Sequence, residues 1–272
     1  MIKLLKAIYR RLFFFYHRQA FFPGWPGITV NPFYFARKGL VKHVSELAVH
    51  ITGKTLDVGC GSKPYEHLYH SDEYVGLEID SPQCRASKKA DYFYDGNVFP
   101  FADGSFDSVV ANQVFEHVFN PDQFLNEVFR VLHPGGMVLL TIPFVWDEHE
   151  QPHDFARYSS FGIRALLERH GFEIVEQRKS MDDIRVIFQL LIAYIYKKTV
   201  TRNAWVNLFV MLLLMAPFNL LGELLFLITP RNPDLYWTIS CWQRKSFGRK
   251  SMKTEIPGQS TTIRSTLVRD RA

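Results

Sequence analysis

The stretch from Lys54 to Tyr65, KTLDVGCGSKPY, limits the chain more than any other. Hydrophobic and β-branched residues lead into Asp57, and Gly59 and Gly61 follow at once. This pattern predicts a short buried strand that stops in a tight, glycine-lined turn. Glycine takes positive φ and lets a ligand approach where a Cβ would collide. At the carboxyl end of a parallel strand, that combination cradles a nucleotide-like cofactor. The glycine pair alone fits an ordinary strand-to-helix turn equally well.

The flanking sequence decides what surrounds that turn. Asn31 and Pro32 predict the cap and first position of a helix running to about His50. After the glycines, Tyr65–Tyr69 predicts a short helix, and Tyr74–Ile79 a second strand ending in acids. Glu78 lies 19 positions beyond Gly59, where such folds place the acid that binds a ribose hydroxyl pair. Further strands are predicted at Ala90–Tyr94, Phe106–Ala111 and Met137–Ile142. Asn120 and Pro121 cap a helix with Phe124, Leu125, Val128, Val131 and Leu132 on one face, which Pro134-Gly135-Gly136 should end. Ser159–His170 reads as a helix, Gly171–Arg178 as a sixth strand and Leu235–Arg244 as its hairpin partner. Alternating strands and helices imply an α/β fold with a doubly wound, mostly parallel sheet.

Composition narrows the class. At 272 residues the chain suits one large domain or one domain with an attachment. A hydrophobic share of 47% with 15% aromatics supports a real core and contact with something apolar. A net charge of +5 is mild and gives no reason to expect a nucleic-acid partner. Cys60, Cys84 and Cys241 are unclustered, as in a reducing compartment without a disulfide framework.

The motifs from Leu56 to Thr141, taken together, resemble the class I S-adenosylmethionine-dependent methyltransferases of the type-11-like branch. The matching pieces are LDVGCG, the acid of VGLEID, the Asp95 step, FPFADGSFDSVV, the EHV loop and FRVLHPGGMVLLTIP. The resemblance implies a seven-stranded Rossmann-like sheet with an antiparallel last strand, and S-adenosyl-L-methionine as cofactor. It carries Asp57, Gly59 and Gly61 onto the motif that wraps the methionine part. It carries Glu78 onto the ribose acid, and Asp95 with Gly96 beside it onto the adenine position. Asn112 and Gln113 fall on the loop near the transferable methyl. Pro64 stands where a dinucleotide fold has its third glycine, which argues against a nicotinamide cofactor. No Walker sequence is present, which argues against ATP chemistry of that kind.

Residues 143–158, PFVWDEHEQPHDFARY, follow the fifth predicted strand and so reach the ligand-binding edge. His149, Glu150 and His153 spell HExxH, but that zinc motif needs both histidines on one helical face. Pro152 disfavours a helix there, so no metal is expected. The segment resembles an active-site lid of type-11-like enzymes from glycan and lipid contexts. His149, His153, Asp154 and Arg157 are the candidate catalytic residues, a histidine serving as base toward an oxygen or nitrogen acceptor. Asp154 and Arg157 equally suit an ion pair that folds the loop.

Two apolar segments remain. Lys3, Lys6, Arg10, Arg11 and Arg18 alternate with Leu4, Leu5, Ile8, Leu12 and Phe15, a pattern shared by a helix on an anionic membrane and one packed on the domain. Between the last two strands lie Ile184–Tyr196 and Trp205–Ile228. The second run is long enough to span a bilayer, yet it carries Asn207, Pro217, Asn219 and Glu223. Pairing of the flanking strands forbids a single crossing, which favours a re-entrant or in-plane helical hairpin. A helical cap or dimer contact is the alternative.

The expected organisation is a basic amphipathic segment over 1–30, a methyltransferase core over 31–181 and an apolar insert over 182–230. The last core strand follows over 231–245, with a disordered basic tail over 246–272. The function expected is methyl transfer to a small-molecule, lipid-linked or glycan acceptor. The expected place is the cytoplasmic side of the inner membrane, peripheral or re-entrant. The alternative is a catalytically inactive cofactor-binding membrane partner.

Overall fold

The computed structural model describes Ile2 to Ser246; the side chains of residues 2–9 and of Leu12 fall outside that description. The chain opens with helices α1 (Ile2–Phe21), α2 (Gly27–Val30) and α3 (Tyr34–Leu47). Strands β1 (Thr52–Val58) and β2 (His70–Ile79), helix α4 (Pro82–Ser87) and strands β3 (Tyr92–Tyr94) and β4 (Phe106–Asn112) come next. Then follow α5 (Pro121–Val131), β5 (Leu132–Pro143), α6 (Ser160–Arg169), β6 (Phe172–Ser180) and α7 (Arg185–Thr199). A 23-residue helix α8 (Ala204–Phe226) precedes β7 (Thr238–Lys245).

The strands form one sheet in the order β3-β2-β1-β4-β5-β7-β6. The first five are parallel, and β7 runs antiparallel between β5 and β6. Both faces are covered, which explains the nearly continuous apolar runs of the central strands. Val109 and Leu140 pack with Phe124, Leu125 and Val128 of α5 and Ile163 and Leu167 of α6. Their neighbours Val110 and Leu139 point the other way, onto Leu40, Val44 and Leu47 of α3. The strand order reverses between β1 and β4, and this switch point is where such sheets bind ligands.

Several boundaries differ from the sequence expectation. Asn31 is not the cap of α3, which starts at Tyr34. Its Oδ1 instead accepts from the Phe33 N–H at 2.8 Å and its Nδ2 donates to the Gln19 carbonyl at 2.8 Å, tying α1 to the turn. Pro134-Gly135-Gly136 does not end α5, which stops at Val131. The three residues form a bulge inside β5, between the pairings Phe106↔Leu132 and Ser108↔Met137. A Cβ on Gly136 would lie 2.9 Å from the Asp107 carbonyl, so the close strand approach requires glycine there. β2 begins at His70, four residues before the expected start, because parallel pairing with Thr52 and Gly53 extends it. β3 is shortened to its three paired residues.

The insert docks on the amino-terminal helices. Val186 and Ile192 of α7 and Met211 and Met215 of α8 bury themselves against Ile28, Tyr34 and Phe35. Two of the residues that interrupt the apolar run, Asn219 and Glu223, turn inward, whereas Asn207 bonds with Thr201 and Pro217 is exposed. Asn219 is fully buried and donates to the Ile28 carbonyl at 2.9 Å. Glu223 pairs with Lys38 at 2.6 Å and faces Arg185 at 3.7 Å. The outward face keeps leucines at 213, 224 and 227, which are 56%, 54% and 74% exposed. The α8 sequence passes the length and hydropathy requirement of a membrane span, with 28% of its most apolar window buried. Register pairs Ser180 with Thr238, so both ends of the insert leave the same edge of the sheet. The expected tail lies outside the described residues, apart from Ser246. So do the side chains of Lys3, Leu4, Leu5, Lys6, Ile8 and Leu12 in the amphipathic pattern of α1.

Candidate active site

β1 delivers Asp57 and the glycine turn to the carboxyl edge of the sheet. Gly59 has φ of +70°, and a Cβ there would lie 2.4 Å from Val114 Cγ2, so only glycine fits. Gly61 has φ of +52°, and a Cβ there would meet nothing within 4 Å. The turn thus lies flat against the protein at one glycine and opens to free space at the other, as a backbone cradle for a ligand must. The cavity above it encloses about 540 Å³ and is bounded by Asp57, Gly59, Gly61, Asn112 and Gln113.

Asp57 is buried and accepts a bond from the Tyr74 hydroxyl at 2.7 Å. Burial pushes its carboxyl up to about 7 against that bond. A cation entering the cavity would restore its charge, and the methionine end of S-adenosylmethionine is cationic. Glu78 ends β2, and its Oε1 accepts from the Gly61 N–H at 2.7 Å. The ribose acid expected from sequence therefore reaches the glycine turn directly. Asp95 and Gly96 sit on the exposed loop after β3, away from the cavity lining. Asp95 accepts from the backbone of Asn97 at 2.9 Å and Val98 at 3.2 Å, which holds its carboxyl below the usual range. β3 pairs with β2 at Ile79↔Tyr94, so Asp95 stands at the same sheet edge as Glu78.

Asn112 and Gln113 are fixed at the end of β4. Asn112 Nδ2 donates to the Tyr69 hydroxyl at 2.9 Å, and the Gln113 N–H donates to the Thr141 carbonyl at 2.8 Å. Tyr69 stacks on Tyr74, which completes a chain of contacts from Asn112 to Asp57. Lys63 is paired with Asp91 at 2.5 Å, so it is not aimed at a ligand. The donor set is compatible with S-adenosylmethionine: Asp57, Gly59 and Gly61 would hold its amino acid part, and Glu78 its ribose.

The lid folds over the cavity from the end of β5 and is tied to the turn after β4. The Glu116 carbonyl accepts from the N–H groups of Phe155 at 2.9 Å and Ala156 at 3.2 Å. Arg157 Nη1 and Nη2 donate to the two oxygens of Asp154 at 2.5 and 2.7 Å. Against the cost of burial, the Arg157 bonds hold the Asp154 carboxyl down at about 2. Asp154 also accepts from the His149 N–H at 3.0 Å. Asp154 and Arg157 thus position the lid, while His149 lines the cavity. The His153 ring is exposed beside Phe155 and does not join His149. Residues 148–158 contain no helix, so the HExxH histidines do not share a helical face.

Sequence reasoning assigned no role to Glu116 and His117, although both lie in the EHV loop. Glu116 is fully buried, and its two oxygens lack hydrogen-bond partners among the described residues. Burial pushes its carboxyl up to about 8. His117 lines the cavity beside His149, with ring centroids 4.7 Å apart. The far wall was equally missed. It comes from Phe33 and Arg37 near the start of α3, Trp146 of the lid, Lys197 of α7 and Trp237. No motif marks these residues, because distant segments bring them together.

Residues 56–140 match the methyltransferase domain family Methyltransf_11. A Mycolicibacterium smegmatis protein named a probable S-adenosylmethionine-dependent methyltransferase is 31% identical over 55% of this chain and 63% of its own length. An uncharacterized methyltransferase of Mycolicibacterium gilvum is 35% identical over 43% of this chain and 50% of its own. The chain thus spans less than two thirds of the length of these relatives. Among solved structures, Haemonchus contortus phosphoethanolamine N-methyltransferase 2 in complex with S-adenosyl-L-methionine superposes with a TM-score of 0.50 at 16% identity. The superposition covers 82% of this chain and 56% of that one, a likeness of fold. With the glycine cradle, its acid and the sheet order in agreement, residues 56–140 carry a methyltransferase domain similar to those of the S-adenosylmethionine-dependent methyltransferases.

Proposed function

We propose that the protein transfers a methyl group from S-adenosylmethionine to an apolar-tailed acceptor, lipid-linked or glycan-bearing, at a membrane surface. The observation that carries the reading is the continuity of two features in one cavity. The glycine cradle with Asp57 forms its floor, and Phe33, Trp146 and Trp237 form an aromatic wall continuous with the helical insert. Bound there, S-adenosylmethionine supplies an electrophilic methyl on a sulfonium. The chain's part is to hold the acceptor in line with that methyl, exclude water and take a proton where the acceptor has one. His149 and His117 are the cavity-lining groups suited to the proton. The lid and aromatic wall exclude water.

Membrane attachment is supported by the outward leucines of α8 and by exposed Phe14, Phe15 and Tyr16 beside Arg10 and Arg11 on α1. Inward placement of Asn219 and Glu223 suits a helix lying in the interface, with its polar side on the domain and its apolar side in lipid. Flotation with phosphatidylglycerol vesicles and transfer of labelled methyl into a membrane extract test the reading together. Co-flotation with label in a lipid-soluble or glycolipid fraction is expected, and Leu213→Glu with Leu224→Glu should abolish flotation. Label confined to water-soluble acceptors, with no flotation, would overturn the membrane part. Cofactor binding with no transfer to any fraction would favour a non-catalytic membrane partner.

A further inference from the structure

We infer that Glu116, His117 and His149 form a binding site for a divalent transition-metal ion of the zinc class at the acceptor side of the cavity. The three side chains bring one ligand atom each to within 4.8 Å of one another. Glu116 Oε1 lies 3.8 Å from His117 Nε2 and 4.0 Å from His149 Nε2. These gaps are too long for hydrogen bonds. Two ligands on a tetrahedral zinc at bond lengths of about 2.1 Å stand roughly 3.4 Å apart, so the Glu116 gaps must close by about half an ångström and the two histidines, within 4.8 Å of each other, by at most about 1.4 Å through side-chain rotation.

The tautomers strengthen the case. His117 Nδ1 lies 2.8 Å from the His153 carbonyl, an atom that only accepts, so Nδ1 carries the proton. His149 Nδ1 lies 3.1 Å from Asp154 Oδ2 and 3.3 Å from the Asp147 carbonyl, again acceptors. With Nδ1 turned to these acceptors, each ring presents Nε2, the nitrogen free to ligate, toward the same carboxylate. Glu116 faces them fully buried, with no hydrogen-bond partner on either oxygen among the described residues. Two ring nitrogens converging on an unpartnered buried carboxyl are the donor set of a cation at their centre. Carboxylate or carbonyl partners on the outer nitrogen of ligating histidines are the usual outer shell of such sites. Arg157 completes that shell by fixing Asp154.

Two imidazoles and one carboxylate suit a zinc-class ion and leave at least one coordination position open. His117 and His149 border the same cavity as Gly61 and Gln113, so the open position faces the acceptor space. There the ion would bind an acceptor hydroxyl and lower its pKa, in place of the two histidines acting as bases, since their Nε2 atoms would hold the ion. That role rests on the methyl-transfer reading; the site itself does not. The pairing of His149 with His117 also differs from the HExxH pairing within the lid, which the structure does not form, and replaces the expectation of no metal.

The test is titration of chelator-stripped protein with Zn2+ and with Co2+, following heat and the visible absorption of bound Co2+. One ion per chain is expected. Glu116→Gln and His149→Gln should each weaken binding at least 100-fold, and Asp154→Asn by about 10–100-fold through the outer shell. Circular dichroism checks folding; His149 is a partly exposed loop residue, so its variant keeps the test decisive if Glu116→Gln does not fold. No stoichiometric binding to folded protein, or binding unchanged in the variants, would overturn the site. S-adenosylmethionine calorimetry on the same samples separates the two readings. Metal binding without cofactor binding would uphold the site and fail the methyl-transfer reading; cofactor binding without metal would overturn the site alone.

Discussion

Replacing Asp57 by asparagine should change how stability depends on pH. In the folded, cofactor-free protein, burial raises this carboxyl from an ordinary 3.8 to about 7, partly offset by the Tyr74 bond. The sign follows from linkage: a raised carboxyl binds its proton more tightly when folded, so its stabilising contribution is present below the unfolded value. That contribution is lost as pH rises through about 7. A rise of about three units corresponds to a ceiling of about 4 kcal/mol between pH 4 and 8. The substituted amide would remain neutral throughout and keep an acceptor for Tyr74. Urea unfolding of both proteins at pH 4, 5, 6, 7 and 8 measures the effect. The two should be similar at pH 4, and the variant should gain on the wild type by up to the ceiling at pH 8. Saturating S-adenosylmethionine should shrink the gap, because a cation beside Asp57 favours its ionised form. Parallel stability curves across the range would refute the argument.

Gly59→Ala should strain a residue at φ +70° and push Val114 at 2.4 Å, costing about 1–3 kcal/mol and weakening cofactor affinity in calorimetry. Gly222→Ala should destabilise despite better helix propensity. The added Cβ would lie 2.6 Å from buried Phe35 Cζ, and overpacking of about 1–3 kcal/mol should lower the denaturant midpoint. Arg157→Ala should leave Asp154 without its bidentate partner and open the lid. Faster cleavage within residues 147–158 under limited proteolysis, with a raised acceptor KM, is the expected reading.

The candidate cofactor residues could be picked out of the sequence because they lie within single strand-to-loop steps. Asp57, Gly59 and Gly61 follow one strand, and Glu78 ends the next, so local pattern and spacing located them. The seven-stranded, mostly parallel sheet followed from alternation and family likeness, and even the interrupted hairpin of β6 with β7 could be anticipated. Boundaries failed where side chains made tertiary bonds instead of local caps, as at Asn31, or where a bulge mimicked a helix stop, as at Gly135 and Gly136. The acceptor half was less legible. His149 was found within a short polar motif, but its partners Glu116 and His117 come from the turn after β4. His153 was drawn in by sequence proximity alone, and its ring packs beside Phe155 instead. The interruptions in the apolar insert looked like faults in a membrane helix, whereas Asn219 and Glu223 fasten that helix to the domain.

The central claim is that the glycine cradle and Glu78 hold S-adenosylmethionine. Calorimetric binding of S-adenosylmethionine and S-adenosylhomocysteine to wild type and Glu78→Ala tests it most directly. The wild type should bind both ligands one to one. The variant should lose about 10–100-fold in affinity, the worth of hydrogen bonds to a charged group. No binding to folded wild type, or equal binding by the variant, would contradict the account.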